Sequence, residues 1–200
     1  MSKKRFFPHA LAILLLLLCF CGSGMAGDDQ PKRENWAVTL YVTKLNSGTL
    51  KDTFLLQAEY LDSYLVDAAL SRRIYTYKRY LDFEVEANVA KHFGEQHQWE
   101  LNGLITVRWL LFPWNKYLNT TVAIGQGLSY ATEIPDLEAQ LHEETSQLLV
   151  FSMYELTLAL PKLPRWVLVT RIHHRSGFAG FFGGVHGASN SVGIGLRYRF

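Results

Sequence analysis

Apolar and polar residues alternate with a period of two along most of this chain. From Leu81 to Val89, leucine, phenylalanine, valine and alanine fall on one parity, while three carboxylates and an asparagine fall on the other. The stretch 99–111 repeats the design, with tryptophan and aliphatic residues alternating with polar ones. Successive side chains of a strand point to opposite faces. The pattern therefore predicts strands with one apolar and one charged face.

Segments of this kind recur through the chain and are long for soluble sheets. We predict eight strands, near residues 35–44, 60–71, 79–92, 98–112, 117–130, 147–160, 165–176 and 190–200. Several exceed the ~5–6 residues usual in soluble proteins and match the ~9–11 that cross a bilayer at a tilt. A soluble sandwich also alternates, but its strands end sooner. The sequence predicts an all-β fold, an eight-stranded antiparallel transmembrane β-barrel with a lumen filled by side chains.

The connections and aromatic residues fit a barrel. Residues 112–115 and 161–164 form compact turns, whereas 131–146 and 177–189 are long, and the first of these long segments has the pattern of a helical turn. Short turns at one end and long loops at the other are typical of such barrels. Aromatic residues near strand ends predict an interfacial girdle, with ordinary core packing as the alternative. They are Trp36, Trp99, Trp109, Trp114, Tyr117 and Trp166.

Charged residues of the inward parity predict ion pairs inside the barrel. The acidic members are Glu84, Glu86, Glu100 and Glu155, and the basic members are Arg108, Arg171, Arg175, Arg197 and Arg199. We interpret this set as lumen packing rather than catalysis, because unpaired buried charges are costly. Eight strands leave no wide channel, which disfavours a general porin.

The N-terminus reads as an export signal. Three basic residues precede an apolar run that ends at Cys21, and small residues lead to Ala26, so we predict a cleaved signal peptide over 1–26 and a single barrel domain over 27–200. A lipoprotein signal is the alternative, but Cys19 and Cys21 each follow a bulky residue. Both cysteines are removed with the signal, which excludes disulfides and thiolate chemistry from the mature chain. We predict no metal and no cofactor.

Charge and hydropathy narrow the class further. Loss of the signal peptide removes three basic residues and leaves 17 basic against 18 acidic residues, so the mature chain lacks the basic excess of a nucleic-acid-binding protein and we predict no nucleic-acid partner. No apolar stretch after Ala26 approaches the ~20 residues of a spanning helix. The last strand ends in a terminal aromatic, Phe200, which resembles the signal read by the outer-membrane barrel assembly machinery. We therefore predict a bacterial outer-membrane location among outer-membrane lipids.

Strand parity places three polar residues on the lipid side. In 165–176 the parity of His174 and Ser176 is that of Trp166, Leu168 and Ile172. Residues two apart on a strand project side by side, so the imidazole is expected to reach the hydroxyl. Asn190 has the outward parity of the last strand. Twelve residues separate Pro164 from Ser176, a rise of roughly 30 Å in a tilted strand, which puts the pair at the outer-leaflet boundary. The alternative is that these residues cap the strand at the wet interface.

The ending His-His-Arg-Ser-Gly, a glycine-rich stretch, Ser-Asn and Arg-Tyr-Arg-Phe resembles that of outer-membrane lipid A 3-O-deacylases, and more closely that of proteins described as acyloxyacyl hydrolases. The resemblance spans the mature chain and implies an eight-stranded barrel with a lipid-facing serine esterase site. It implies Ser176 as nucleophile, His174 as general base and Asn190 as orienter at a position where the family has glutamate. Gly177 stands where the family has asparagine.

From this resemblance we predict a calcium-independent esterase that removes an ester-linked acyl chain from lipid A of lipopolysaccharide. Backbone N–H groups at Gly177 and the following loop are the predicted oxyanion donors. The orienter could instead be His186 or a loop carboxylate, and phenylalanines of the loop 178–188 could hold acyl chains. Two alternatives stay open: a phospholipase-type esterase of the outer membrane, and a small barrel without catalysis.

Overall fold

Eight antiparallel strands close into one barrel. The computed structural model describes residues 34–141, 145–178, 180–182 and 184–200; the predicted signal peptide, 1–26, lies outside them. The strands are β1 (Trp36–Asn46), β2 (Tyr60–Tyr77), β3 (Leu81–Gly94), β4 (Trp99–Trp109), β5 (Asn119–Ala131), β6 (Leu148–Ala159), β7 (Trp166–Ser176) and β8 (Ala188–Arg199). Each strand pairs with the next in sequence, and β8 pairs with β1. The predicted fold class is confirmed.

Two local features differ from the sequence prediction. Strand β2 continues to Tyr77 instead of ending near 71, because a register shift between Arg73 and Tyr75 absorbs the break in alternation. A short helix, α1 (Leu50–Phe54), lies in the β1–β2 connection and was not predicted. Thr49 and Asp52 form its capping box, a local signal that the strand pattern obscures. The second helix, α2 (Asp136–Leu141), lies in the segment where a helical turn was predicted.

Apolar side chains cover the outside of the barrel. Outward residues such as Leu40, Leu101 and Ile124 are 57%, 50% and 60% exposed, as expected for a surface that contacts lipid. The aromatic residues predicted to form a girdle are all exposed, including Trp36 and Trp166 near the chain termini and Trp99 at the opposite end. The end with the termini and the turns between β2–β3, β4–β5 and β6–β7 is called the turn end, and the other the loop end. No helix in the described part of the chain has the length and apolar character needed to cross a bilayer.

An ion-pair network fills the middle of the lumen. Glu155 accepts hydrogen bonds from Arg171 Nε at 2.9 Å and from Arg197 Nη2 at 2.9 Å. Arg108 Nη1 lies 2.8 Å from Glu155 Oε1, a contact that pairs the charges without hydrogen-bond geometry. Arg171 also donates to Glu86, and Arg108 donates to Glu84 through two nitrogens. Three carboxylates thus neutralise three buried guanidinium groups.

Glu100 has partners other than the predicted arginines. Its Oε1 lies 2.8 Å from His92 Nε2, and its Oε2 lies 2.9 Å from His173 Nε2. Tyr41 Oη lies 3.3 Å from the other nitrogen of His173. Arg175 donates to Ser129 and to the carbonyl groups of residues 146 and 147 at the loop end of the lumen. The partners of Glu100 are therefore histidines and not arginines. Strand parity predicts which residues face the lumen, but it does not predict which of them pair.

We expect Glu155→Gln to destabilise the barrel strongly, because three arginines would lose their shared counter-charge within a buried network. Breaking a buried ion pair from one side costs about 3–5 kcal/mol. Urea unfolding of the protein in lipid vesicles, followed by tryptophan fluorescence, measures the change. Glu133→Gln, at an exposed loop position, is the control and should shift the unfolding free energy by less than about 0.5 kcal/mol. Equal midpoints for the two variants would contradict the role of Glu155.

Candidate functional site

The two adjacent histidines of β7 lie on opposite sides of the barrel wall. His173 points into the lumen with Arg171 and Arg175 and is 4% exposed. His174 points outward and is half-buried, as is Ser176, the last residue of the strand. The parity predicted from the sequence is therefore the parity observed. Only His174 is available to chemistry on the lipid side.

A row of polar side chains crosses five strands on this outward surface. Cross-strand pairing sets His174 opposite Asn190 of β8 and opposite Ser152 of β6. Asn190 in turn pairs with Asn46 of β1, and Ser152 pairs with Gln126 of β5. We call these five residues the polar row. Directly paired residues on one face have Cβ atoms about 4.5–5.5 Å apart, so each member is in reach of the next.

The polar row runs obliquely to the strand ends. Asn46 is the last residue of β1, whereas His174 is the third residue from the loop end of β7 and Gln126 is the sixth from the loop end of β5. Strand tilt produces this slope, because lines perpendicular to tilted strands are inclined to the barrel axis. The row therefore starts at the loop end and enters the apolar band towards β5.

Asn190 fixes the orientation of His174. Asn190 Oδ1 lies 2.7 Å from His174 Nδ1, and Asn190 Nδ2 donates to the carbonyl oxygen of Gly48 at 2.9 Å. A carbonyl oxygen only accepts, so the amide nitrogen of Asn190 must face Gly48 and its oxygen must face the imidazole. His174 Nδ1 is then the protonated nitrogen. The other ring nitrogen, Nε2, carries the free lone pair that a general base needs.

Ser176 lies two residues beyond His174 at the rim of the barrel. Its cross-strand neighbours are Val150 and Ala188, which offer no competing polar side chain. Within the described residues, the Ser176 hydroxyl forms no hydrogen bond, and the predicted contact with His174 is not made. Catalytic hydrogen bonds often tighten only when substrate binds. The hydroxyl is half-exposed and lies on the same outward face of β7 as His174, two residues further along the strand.

Ser152 is a second hydroxyl beside His174, one that sequence reasoning missed. It donates to Gln126 Oε1 at 3.1 Å, while Gln126 Nε2 donates to the backbone carbonyl of Phe151 at 3.2 Å. Through these hydrogen bonds, the Ser152 hydroxyl and the Gln126 amide each have a partner on a surface that faces lipid. Strand parity could have shown that Ser152 and Gln126 face outward, because both interrupt apolar runs on the outward side of β5 and β6. That Ser152 lies beside His174 follows only from the pairing register of β6 and β7.

Backbone hydrogen bonds connect the described residues of the loop after Ser176. Gly177 N–H donates to Gly187 O at 3.4 Å, and Gly177 O accepts from Phe182 N–H at 3.1 Å, so the predicted oxyanion donor has a partner across the loop. A Cβ at Gly177 would collide with the Val185 carbonyl, which explains the need for glycine. Phe178 and Phe181 are 66% and 80% exposed on the outside of this loop. Exposed rings at this position suit contact with acyl chains.

His186 is exposed and lies beside Gly180 in the same loop. The hydrogen bond at His174 Nδ1 is made with Asn190 and not with His186. No cluster of three or more metal-binding side chains occurs in the part of the chain that the structure describes.

The β1–β2 loop lies over the site from outside the barrel. Helix α1 contacts β7 and β8, and its Phe54 packs edge-on against Tyr154 of β6 with ring centroids 4.9 Å apart. Outward residues beneath it are buried, in contrast to outward residues elsewhere. Their exposed fractions are 7% for Val150, 6% for Ser152, 7% for Ile172 and 2% for Asn190. This cover was not predicted, because it depends on how a loop folds back onto the wall.

Comparison with known proteins defines the fold. No protein-family model matches the chain, and a search of curated proteins finds no match. Among solved structures, the outer-membrane enzyme PagL is similar with a TM-score of 0.57 at 10% identity, over 82% of this chain and 99% of that chain. Neisserial surface protein A has a TM-score of 0.43 at 12% identity, over 82% and 95% of the two chains. Ail, the attachment invasion locus protein of Yersinia pestis, has a TM-score of 0.38 at 10% identity, over 84% and 99%. At these identities, the similarity to PagL shows that this chain has the fold of an eight-stranded outer-membrane barrel.

Proposed function

We propose that this protein is an esterase of the bacterial outer membrane that removes an ester-linked acyl chain from lipid A of lipopolysaccharide. The observation that carries the proposal is the hydrogen bond between His174 and Asn190 on the lipid-facing surface, two residues from a free serine hydroxyl. A structural histidine at a wet interface needs no fixed tautomer. The amide of Asn190 supplies one, and it leaves Nε2 free to act as a base.

The chemistry follows from the three side chains. His174 Nε2 takes the hydroxyl proton of Ser176 while the serine oxygen attacks the ester carbonyl carbon. The resulting tetrahedral intermediate collapses when its bond to the alcohol oxygen breaks, and His174 returns the proton to that oxygen. Water, deprotonated by the same nitrogen, then cleaves the acyl-serine and releases a fatty acid. Asn190 holds the imidazole through both steps.

The position of the site suits a lipid ester. Ester bonds of membrane lipids lie at the boundary between headgroups and acyl chains, and the polar row meets the apolar band at the loop end of the barrel. Exposed Phe178 and Phe181 on one side and Phe54 on the other offer apolar contacts for an acyl chain. The fold that the chain shares with an outer-membrane enzyme also supports the proposal, as does the similarity of its C-terminal sequence to lipid A deacylases.

One observation favours a second substrate class. The orienting group is an amide rather than a carboxylate, and a serine, histidine and asparagine set also occurs in a larger outer-membrane phospholipase family. A glycerophospholipid ester is therefore the alternative substrate. Purified protein supplied with lipopolysaccharide or with phospholipid vesicles distinguishes the two by which of them releases fatty acid.

Replacement of Ser176 by alanine should abolish deacylation, because no acyl-enzyme forms without the hydroxyl. We expect a fall in turnover of at least about 10³-fold. Mass spectrometry of lipid A from cells that overproduce the wild type or the variant measures the loss of an acyl chain. The matched control is Thr170→Ala, which removes a hydroxyl from the exposed outward face of the same strand and should leave deacylation intact.

Ser152→Ala separates the proposed function from the choice of nucleophile. Activity that is lost in this variant and kept in Ser176→Ala would assign the nucleophile to β6 while the esterase function stands. If lipid A and phospholipid both stay unchanged in cells with the wild-type protein, the proposed esterase function is wrong and a barrel without catalysis is favoured.

Asn190→Leu should lower kcat with little change in KM, because the imidazole would lose the partner that fixes its tautomer. In serine hydrolases, loss of the correct tautomer costs up to about 10⁴-fold in kcat, and the loss of an amide should fall between about 10² and 10⁴. Steady-state fatty-acid release in detergent micelles gives both constants. A kcat within a factor of about two of the wild type would rule Asn190 out as the orienter.

A further inference from the structure

The amide of Asn190 is held in turn by a peptide group of the β1–β2 loop. Its Nδ2 donates to Gly48 O at 2.9 Å, and this is the contact that decides which way the amide faces. Without an acceptor at this place, a half-turn of the amide would present its nitrogen to His174. The imidazole would then accept at Nδ1 and carry its proton on Nε2, where a base needs a lone pair.

Two buried side chains hold the Gly48 peptide in place. Asn46 Oδ1 accepts the Gly48 N–H at 3.2 Å and lies 3.0 Å from the Thr53 hydroxyl, which shares its one proton between Asn46 and the Thr49 carbonyl oxygen, also at 3.0 Å. Asn46 and Thr53 are 4% and 1% exposed, so water does not compete for these bonds. The chain of contacts thus runs from Thr53 through Asn46, Gly48 and Asn190 to His174.

Gly48 itself is suited to a close approach. A Cβ at this position would lie 2.5 Å from the Ala58 Cβ and 3.0 Å from the Asp52 Cβ, so a side chain would displace the peptide. The loop segments before and after α1 therefore pack directly against each other at Gly48. The position of its carbonyl depends on the fold of the whole loop.

Helix α1 carries Thr53 and is fixed at its start. The Thr49 side chain and backbone N–H both donate to the Asp52 carboxylate, at 2.6 Å and 3.0 Å, and these hydrogen bonds lower the pKa of the Asp52 carboxyl. The capping box therefore forms above the ordinary carboxyl pKa and is lost only as the pH falls through the lowered value. At neutral pH the ionised Asp52 carboxylate that caps α1 is therefore present.

We propose that the β1–β2 loop belongs to the site as its orienting element, with Gly48, Asn46 and Thr53 as positioning residues that set the tautomer of His174 through Asn190. The proposal rests on the proposed esterase function for its effect on rate, but not for its effect on the ring. It accounts for an asparagine where a carboxylate is usual. A carboxylate accepts from Nδ1 in either orientation, whereas an amide needs a second partner that fixes its direction.

Thr53→Val and Thr53→Ser form the matched pair for the test. Valine has the shape of threonine without the hydroxyl, and serine keeps the hydroxyl. We expect Thr53→Val to lower kcat roughly fivefold, the effect of one lost hydrogen bond, with KM unchanged because no substrate contact is removed. Thr53→Ser should restore kcat to within a factor of about two of the wild type. Gln57→Ala, at an exposed position after α1, is the control and should leave kcat unchanged.

Nitrogen-15 NMR of the protein in micelles reads the tautomer directly. At about pH 8, where an ordinary imidazole is neutral, wild-type His174 should carry its proton on Nδ1. Thr53→Val should raise the share of the form protonated on Nε2, and Thr53→Ser should not. A His174→Gln sample identifies the signals, and heat-modifiable migration in electrophoresis verifies that each variant forms a barrel.

Asn46→Leu provides a second test of the His174 tautomer, in which the Thr53 side chain is left unchanged. It removes the acceptor for both Gly48 and Thr53 and should shift the tautomer further than Thr53→Val. An unchanged tautomer in folded Asn46→Leu and Thr53→Val would overturn the proposal, even where kcat falls. Wild-type protein without esterase activity would refute the proposed function instead, and the NMR comparison would still decide whether the loop orients His174.

Discussion

Pairing between the first and last strands is the interaction on which both the fold and the site depend. Backbone groups inside a bilayer have no water to bond with, so a sheet that spans it must close on itself. Strand β8 closes the barrel by pairing with β1 from Ala37 opposite Arg199 to Asn46 opposite Asn190. The same ladder that satisfies the backbone in lipid sets Asn190 beside the loop that follows β1. Barrel closure thereby joins residues at opposite ends of the chain into one polar cluster.

The wall of the barrel separates two kinds of polar chemistry that are adjacent in sequence. On the inner side, His173 and Glu100 belong to a buried hydrogen-bond network, and Glu155 belongs to a network of ion pairs with arginines. On the outer side, His174 bonds to a neutral amide and keeps one nitrogen free. Buried ion pairs stabilise a filled lumen, whereas a base that must accept a proton needs an open position. The period of two in β7 places one histidine on each side of the wall.

The cover formed by the β1–β2 loop links the site to its lipid surroundings. Asn46, at the end of β1, and Thr53, in α1, are buried between the wall and this loop, while Phe54, Leu55 and Leu56 are more than half exposed on the outer surface of the loop. One short segment thus contacts the catalytic candidates on one side and the acyl-chain region on the other. That arrangement reduces the contact of these polar residues with acyl chains, because the loop covers Asn46, Ser152 and Asn190.

Alternation along the strands was enough to predict the number of strands, their faces and the outward direction of His174, Ser176 and Asn190, because a residue's side of a strand depends only on its parity. Parity could not identify Ser152, Asn46 or Gly48 as neighbours of His174. Their proximity depends on strand register and on closure, which the pairing of distant segments decides. The hydrogen bonds of Asn190 likewise depend on a loop that folds back over the wall. The sequence by itself determined the barrel and which side each residue faces, and only the tertiary structure decided which outward residues meet.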